Sequence, residues 1–327
     1  MASPTRAIRG LYGRPEGPTV AYPAVVTAIE IVPRGPFSLA AARDFAGGFP
    51  AGIGGGGVGA GSITLAFPVE GRDASAAIEL WQDGDGVVRG RTDAPTDLLE
   101  PATRQAARSL SLDHDGTAWP AVGERDPIVG RLQHEHDYLR PVCFYSAYEA
   151  VTSFVIGQRI SRRQSAVIKR GLAERVGDRP TIEGVEVPAF PRPARLLELT
   201  EHPGLSAEKI RRLHGLGQAA LDGRLDTEAL RDMLPETAIA ALQELPGVGP
   251  FTADATLYRG CGVADGLPGS DELGRTVIKD LYGLPASTGA DVERIAEAWR
   301  PYRMWAVVLL RMGWTRAQAG SVSYRTR

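Results

Sequence analysis

At 327 residues, with 43% hydrophobic and 23% charged side chains, the chain has the composition of an ordinary globular protein and is long enough for two packed lobes. Lys plus Arg total 37 against 39 Asp plus Glu, a net charge of −2, which excludes a protein that coats polyanions by bulk charge; nucleic acid would have to meet a local basic face. Two distant cysteines, Cys143 and Cys261, exclude a four-cysteine iron–sulfur cluster and point to a reducing compartment. No apolar run reaches the roughly 18 residues of a membrane span and no signal pattern opens the chain, so a cytoplasmic protein without membrane contact is expected.

Residues 1–22 are rich in Pro, Gly and Arg and are expected to be flexible. Ala24–Val32 reads as a strand, and Ser38 caps a short helix running through Phe45. Ile63–Val69 is a second strand. Ala77–Trp81 and Val87–Arg91, joined by Gln-Asp-Gly-Asp-Gly, form a hairpin. Thr96 then caps a helix over Asp97–Leu110. These elements predict an α+β N-terminal domain over 23–113. Beyond it the pattern is helical: Ala147–Ile156, Arg162–Val176, Pro193–Thr200, Ala207–Leu221, Thr227–Met233, Glu236–Glu244, Pro250–Gly260, Leu273–Leu281 and Asp291–Met312. The fold expected is mainly α, a helical domain over 114–327 behind a small sheet lobe.

Two segments imitate functional motifs. Gly54, Gly56 and Gly59 match G-x-G-x-x-G, but they follow Phe49-Pro50 and lead into a strand, the reverse of a dinucleotide site; a loop is the better reading. His134-Glu-His136-Asp137 has the composition of a metal site without a third ligand placed by spacing, and reads as a solvated linker.

The informative segment is Leu245-Pro-Gly-Val-Gly-Pro-Phe-Thr-Ala-Asp254, followed by Leu267-Pro-Gly-Ser-Asp-Glu-Leu-Gly274. Helices on either side of Pro-Gly-Val-Gly make a helix–hairpin–helix over 236–260. Gly247 and Gly249 are expected to supply positive φ and close backbone approach, and Val248 tucks between the helices. Pro250 starts the second helix, where its missing N–H costs nothing, and the bare N–H groups there suit a phosphate. The carbonyls of Leu245 and Gly247 are candidate ligands for a monovalent cation. Asp271 follows alone, an acid with its own bland reading as the N-cap of the next helix. The nearby acids Asp265 and Glu272 are expected to be solvated.

These residues resemble the helix–hairpin–helix–Gly/Pro–Asp superfamily of DNA glycosylases. The stretch Tyr148-Glu-Ala-Val-Thr-Ser-Phe-Val-Ile-Gly-Gln-Arg-Ile-Ser161 is similar to that superfamily's helix ending in Gly-Gln-x-x-Ser. Phe190-Pro-Arg-Pro-Ala-Arg-Leu, Asp222-Gly-Arg-Leu-Asp226 and Ala298-Trp-Arg-Pro-Tyr-Arg-Met-Trp305 resemble its connecting and last helices. With the α+β lobe in front, the chain looks like the AlkA type, the 3-methyladenine DNA glycosylases II, over most of residues 23–315 and most strongly from 148 to 311.

The resemblance implies a base-excision repair enzyme that flips a damaged base out of double-stranded DNA and hydrolyses its N-glycosidic bond. Asp271 would be the catalytic carboxylate. Gln158, Arg159, Ile160, Gly247, Val248, Gly249, Phe251 and Thr252 would contact DNA, Arg159 as the wedge that fills the vacated stack or as a phosphate contact, and Arg162 and Arg163 would extend the basic surface. Phe251, Trp299, Tyr302 and Trp305 would line the base pocket, although aromatics at helical spacing are also what a core requires. Phe251 occupies the place where strand-cleaving relatives carry a lysine, so a monofunctional, monomeric enzyme without an organic cofactor is expected. Ala255 and Arg311 stand where the type shows aromatics, which leaves three readings: an enzyme for alkylated purines, one for deaminated or oxidised bases, and a non-catalytic helix–hairpin–helix DNA-binding protein.

Overall fold

Short β-branched and apolar runs separated by Gly and Asp turns form the first lobe. In the computed structural model, which describes residues 27–47, 61–284 and 288–323, these runs are β1 (Thr27–Ile31), β2 (Ile63–Pro68), β3 (Ser75–Gln82) and β4 (Val88–Thr92). All pair antiparallel in the order β1-β4-β3-β2. Helices α1 (Leu39–Gly47) and α2 (Thr96–Ser109) pack on the sheet through Leu39, Ala42, Leu98, Ala102 and Ala106 against Leu65, Phe67, Ile78 and Leu80. Residues 1–22 and the Gly54, Gly56, Gly59 segment lie outside the described residues.

Ser38 caps α1 as expected, its Oγ accepting from Ala41 N–H at 3.2 Å. Thr96 does not cap α2: it is the first helical residue, and Pro95 precedes it without a side-chain bond. The expected blank between 113 and 147 holds two helices, α3 (Trp119–Arg125) and α4 (Pro127–Glu135). Asp126 caps α4 through Ile128 N–H and Val129 N–H at 3.0 and 3.2 Å. The two cross so closely that a methyl group on Gly130 would stand 2.6 Å from the Gly123 carbonyl, a requirement with no periodic signature in the sequence. His134 and Glu135 therefore end a helix and do not form a linker, and no metal-holding group of His, Cys, Asp and Glu exists among the described residues.

The helical lobe continues with α5 (Ala147–Gly157), α6 (Arg162–Arg175), a small hairpin of β5 (Thr181–Ile182) and β6 (Val185–Glu186), α7 (Pro193–Leu197), α8 (Ala207–Leu221), α9 (Thr227–Asp232), α10 (Pro235–Gln243), α11 (Pro250–Ala255), α12 (Glu272–Leu281), α13 (Gly289–Ala296) and α14 (Arg303–Ser323). Serine hydroxyls set three of the starts: Ser146 on α5, Ser161 in a capping box with Gln164 on α6, and Ser206 on α8. The single helix expected over Asp291–Met312 is broken, because Pro301 has no N–H and its ring excludes a continuous helix; a short 3₁₀ turn at Glu297–Trp299 closes α13 and α14 starts afresh. The expected helix to Gly260 likewise changes pitch, α11 passing into a π-turn at Thr256–Gly260.

Among the described residues three apolar cores result: one under the sheet, one among α5 to α11, and one joining α3, α4, α12, α13 and α14. Phe45 of α1 packs against all three, at the seam where the site lies. No helix among the described residues is long and apolar enough to cross a membrane.

Candidate functional site

The turn between α10 and α11 owes its shape to Gly247, whose φ of +79° lies in the left-handed region. Gly249 does not need that freedom: its φ of −95° and ψ of 178° are extended, and a methyl group placed there meets nothing within 4 Å. The expectation of positive φ at both glycines is corrected to one. Val248 is buried between the helices, and its N–H closes the turn onto the Leu245 carbonyl at 3.1 Å. The first ladder bond of α11 runs from Ala253 N–H to the Gly249 carbonyl at 3.0 Å, so the N–H groups of Phe251 and Thr252 lie before the ladder and face outward at the helix start.

Gln158 ties the turn after α5 to this hairpin. Its Nε2 donates to the Gly247 carbonyl at 2.7 Å and its Oε1 accepts from Arg212 Nη1 at 3.1 Å. Lys209 Nζ donates to the carbonyls of Ile156 and Gln158 at 2.7 and 2.8 Å, holding the open end of α5. Arg159, the next residue, is exposed in the left-handed region with φ +59°. Ile160 is half-buried against the helical core. The Leu245 and Gly247 carbonyls already accept from Val248 N–H and the Gln158 amide, so a monovalent cation there would meet the second lone pair of each oxygen.

Asp254 of α11 fixes the following loop, its Oδ2 accepting from Ser270 N–H at 2.7 Å. The neighbouring Asp271 is only 6% exposed and caps α12, Oδ1 accepting from Gly274 N–H at 3.0 Å. Oδ2 accepts from Arg311 Nη1 of α14 at 2.8 Å. Both expected roles are therefore geometrically compatible: one oxygen caps the helix while the other faces a cavity beside Arg311. Each oxygen has a second lone pair for water or substrate.

That cavity has a volume of about 630 Å³, the size of a small-molecule pocket, and opens between the hairpin, α5, α6, α12 and α14. Phe251 stands 48% exposed on its wall, edge-on to Phe154 at 6.0 Å. Thr252, Ala255, Tyr258, Arg259 and Trp314 also face it.

The chain has relatives among known proteins in sequence and in fold. The chain is 28% identical over 214 residues to the DNA-3-methyladenine glycosylase 2 of Escherichia coli, covering 64% of this chain and 72% of that protein. The solved 3-methyladenine DNA-glycosylase of Archaeoglobus fulgidus superposes with a TM-score of 0.71 at 19% identity, over 87% of this chain and 97% of that one. The chain is thus similar in sequence and in fold to 3-methyladenine DNA glycosylases of the AlkA type. An 8-oxoguanine glycosylase/lyase of Clostridium acetobutylicum, solved with double-stranded DNA, shares the fold at a TM-score of 0.58 and 16% identity, over 79% of this chain and 86% of that one. No protein-family profile matches.

Against the AlkA-like expectation, the structure brings Asp271, Phe251, Thr252, Gln158 and Ile160 to one cavity. It removes Trp299, Tyr302 and Trp305 from it. These three are at most 5% exposed and pack around Trp119, with Tyr302 and Trp305 stacked at 4.6 Å. Trp299 Nε1 donates to Asp126 Oδ2 at 2.7 Å and the Tyr302 hydroxyl to the Asp115 carbonyl at 2.5 Å, so even their polar tips face inward. They are core: the 3₁₀ turn carries Trp299, the break at Pro301 carries Tyr302 and the first turn of α14 carries Trp305, all into the cluster shared with α3 and α4. Asp265 is not simply solvated either; it pairs with Arg300 and Arg303 at 2.9 and 2.7 Å. Sequence reasoning missed Lys169, Lys209, Arg212, Arg259 and Trp314, whose only signal was a charged or aromatic residue on an otherwise helical pattern.

Proposed function

We propose that this protein is a monofunctional DNA glycosylase of base excision repair, which extrudes a damaged base from duplex DNA and hydrolyses its N-glycosidic bond. The observation that carries the reading is the carboxylate of Asp271, held by Gly274 N–H and Arg311 on the wall of a base-sized cavity directly behind the hairpin. Breaking the bond develops positive charge on the deoxyribose, and a fixed carboxylate beside it stabilises that charge without reorganising. Water adds to the sugar carbon and releases a proton to solvent, the cationic alkylated purine leaves as a neutral base, and an abasic site remains.

The other residues divide the remaining work. The hairpin N–H groups around Gly249 hold a phosphate, which positions the strand without reading its sequence. Arg159, at the tip of a turn braced by Gln158 and Lys209, enters the space left by the extruded base; its strained backbone marks a position with a purpose other than stability. Phe251 stacks on the base at the mouth of the pocket. Alkylated purines are the substrate class favoured by the relatives, whose names specify 3-methyladenine. The strand stays uncut because the residue after the hairpin is Phe251 and not a lysine able to form a Schiff base.

The test is release of 3-methyladenine and 7-methylguanine from methylated duplex DNA by the native protein and by Asp271→Asn. Native release with a loss on the order of 10²-fold or more in the variant is expected, since Asn keeps the cap but not the charge. Unchanged release by the variant would sink the role of Asp271, and no release by the native protein would leave a DNA-binding protein in its place. Borohydride should trap no covalent DNA adduct.

A further inference from the structure

The turn that joins α5 to α6 is held in a form its sequence disfavours. Gln158, at φ −58° and ψ 127°, and Arg159, at φ +59°, are the two central residues of a type II turn, which Ile160 N–H closes onto the Gly157 carbonyl at 3.4 Å. Such a turn needs a left-handed residue in its second central place, which glycine supplies without strain. Here that place holds an arginine. A type I turn would ask nothing unusual of it. That turn spans the same four residues and differs chiefly in the peptide between the central two, turned over so that its carbonyl points to the opposite side. In this turn that carbonyl belongs to Gln158.

Helix α8 grips both that peptide and the side chain before it. Lys209 Nζ donates to the Gln158 carbonyl at 2.8 Å and to the Ile156 carbonyl at 2.7 Å. Arg212 lies one helical turn on and so on the same face; its Nη1 donates to Gln158 Oε1 at 3.1 Å, while its Nε donates to Glu208 at 2.9 Å. The Gln158 amide in turn reaches the Gly247 carbonyl of the hairpin. The helix is itself fixed against both partners. Ile210 and Leu213 share a core with Val155 and Ile156 of α5, and a methyl group on Gly215 would stand 2.5 Å from the Pro246 ring. Arg159 makes no side-chain hydrogen bond or ion pair among the described residues, so its own side chain does not hold its backbone in place. A turn of type I would take the Gln158 carbonyl off Lys209.

We propose that Lys209 and Arg212 are positioning residues for base extrusion: by pinning the carbonyl and the side chain of Gln158 they hold the turn in its strained form, and that form aims Arg159 at the base stack. This rests on the reading of Arg159 as the wedge. Turning the peptide over would carry φ of Arg159 from positive to negative and swing its Cα–Cβ bond to a new direction, taking the guanidinium off its line of entry. The two cations thus serve the DNA without touching it, since two of the three Lys209 donors and the inner edge of Arg212 are engaged by protein oxygens. Stability gains little from the arrangement, because the bonds lost with Lys209 are offset by release of the strain they impose.

The experiment is a double-mutant cycle between Lys209→Met and Arg159→Ala. It is read by single-turnover release of 7-methylguanine from duplex DNA and by the fluorescence of a 2-aminopurine beside the lesion, which brightens as the stack opens. Lys209→Met should slow release about 10-fold and weaken the brightening, while the protein melts within a few degrees of native. In the Arg159→Ala background the same substitution should cost nothing further, because its effect passes through Arg159. Arg212→Met leaves every backbone bond of the turn in place and should show the same dependence more weakly; Lys209→Arg should restore most of the loss. Additive losses in the double variant would overturn the proposal. So would a fall of about one in the slope of log K against log salt for Lys209→Met, the mark of a phosphate contact. Release that Arg159→Ala leaves unchanged would remove the wedge and the proposal with it, and no release by the native protein would remove the glycosylase reading. Those two failures are read without any Lys209 variant and so are distinct from additivity.

Discussion

Glu149 and Lys169 show what a buried ion pair costs a single residue. Burial raises the Glu149 carboxyl from its ordinary 4.5 to about 7, the nearby ammonium opposing only part of the shift. The same burial holds Lys169 below the usual lysine value. In the unfolded chain Glu149 titrates near its ordinary value, so between that pH and about 7 the folded state binds more proton. Its contribution to stability is then full at low pH, declines as pH rises through this window, and is flat above it. Glu149→Gln should abolish that decline, which chemical denaturation of native and variant proteins at pH 5 and pH 8 would measure; parallel stability curves would show that Glu149 is not buried as described. Asp271 is supported differently, by one helix N–H and one guanidinium, so its geometry survives substitution by Asn while its charge does not.

At the scale of elements, the helix–hairpin–helix separates the needs of folding from those of binding. Gly247 is required by the turn: its φ of +79° disfavours any other residue, and a methyl group would stand 2.7 Å from Arg212 Cδ. Gly249 is not required by the turn, because its backbone is extended and the space beside it is open. Gly247→Ala should therefore cost about 1–2 kcal/mol of stability. Gly249→Ala should leave the melting temperature within a degree or two while weakening duplex binding, since the added methyl group stands where a phosphate would approach. Unchanged binding by Gly249→Ala would mean that DNA does not reach the hairpin. The π-turn at Thr256–Gly260 acts at the same scale. It packs Gly260 against Ala147 and Ala150 of α5, and carries Tyr258 and Arg259 to the cavity wall.

Across the whole molecule, a net charge of −2 means that duplex DNA must find a local face. Many arginines are neutralised by close acids, such as Arg89 with Asp83 and Asp85, Arg108 with Glu70 and Glu228, and Arg192 with Asp73 and Asp178. Arg159, Arg162 and Arg163 are exposed around the turn after α5, and no ion pair engages them among the described residues. They make the basic surface that the composition hides. Binding to undamaged duplex should weaken steeply with salt, and replacing all three with Ala should reduce the slope of log K against log salt by about 2 to 3. A slope unaffected by the triple substitution would place the DNA on another face.

What the sequence determined alone was local: the hairpin turn, the acid that follows it, the helices started by Ser146, Ser161 and Ser206, and the sheet lobe with its hairpin. Each of these depends on backbone chemistry and side chains a few residues apart, which leave a readable pattern. Tertiary structure alone decided the composition of the pocket. Trp299, Tyr302 and Trp305 have the same helical spacing whether they face a core or a cavity, and only the packing of the 3₁₀ turn and the start of α14 with α3 and α4 assigned them to the core. Arg311 reaches Asp271 across 40 residues of chain, and Lys169 meets Glu149 between two helices. Contacts of that kind are set by how helices cross, and helix crossing is settled by the fit of whole surfaces and not by any motif. The hairpin and Asp271 could be read from the chain; what lies between them had to be folded to be seen.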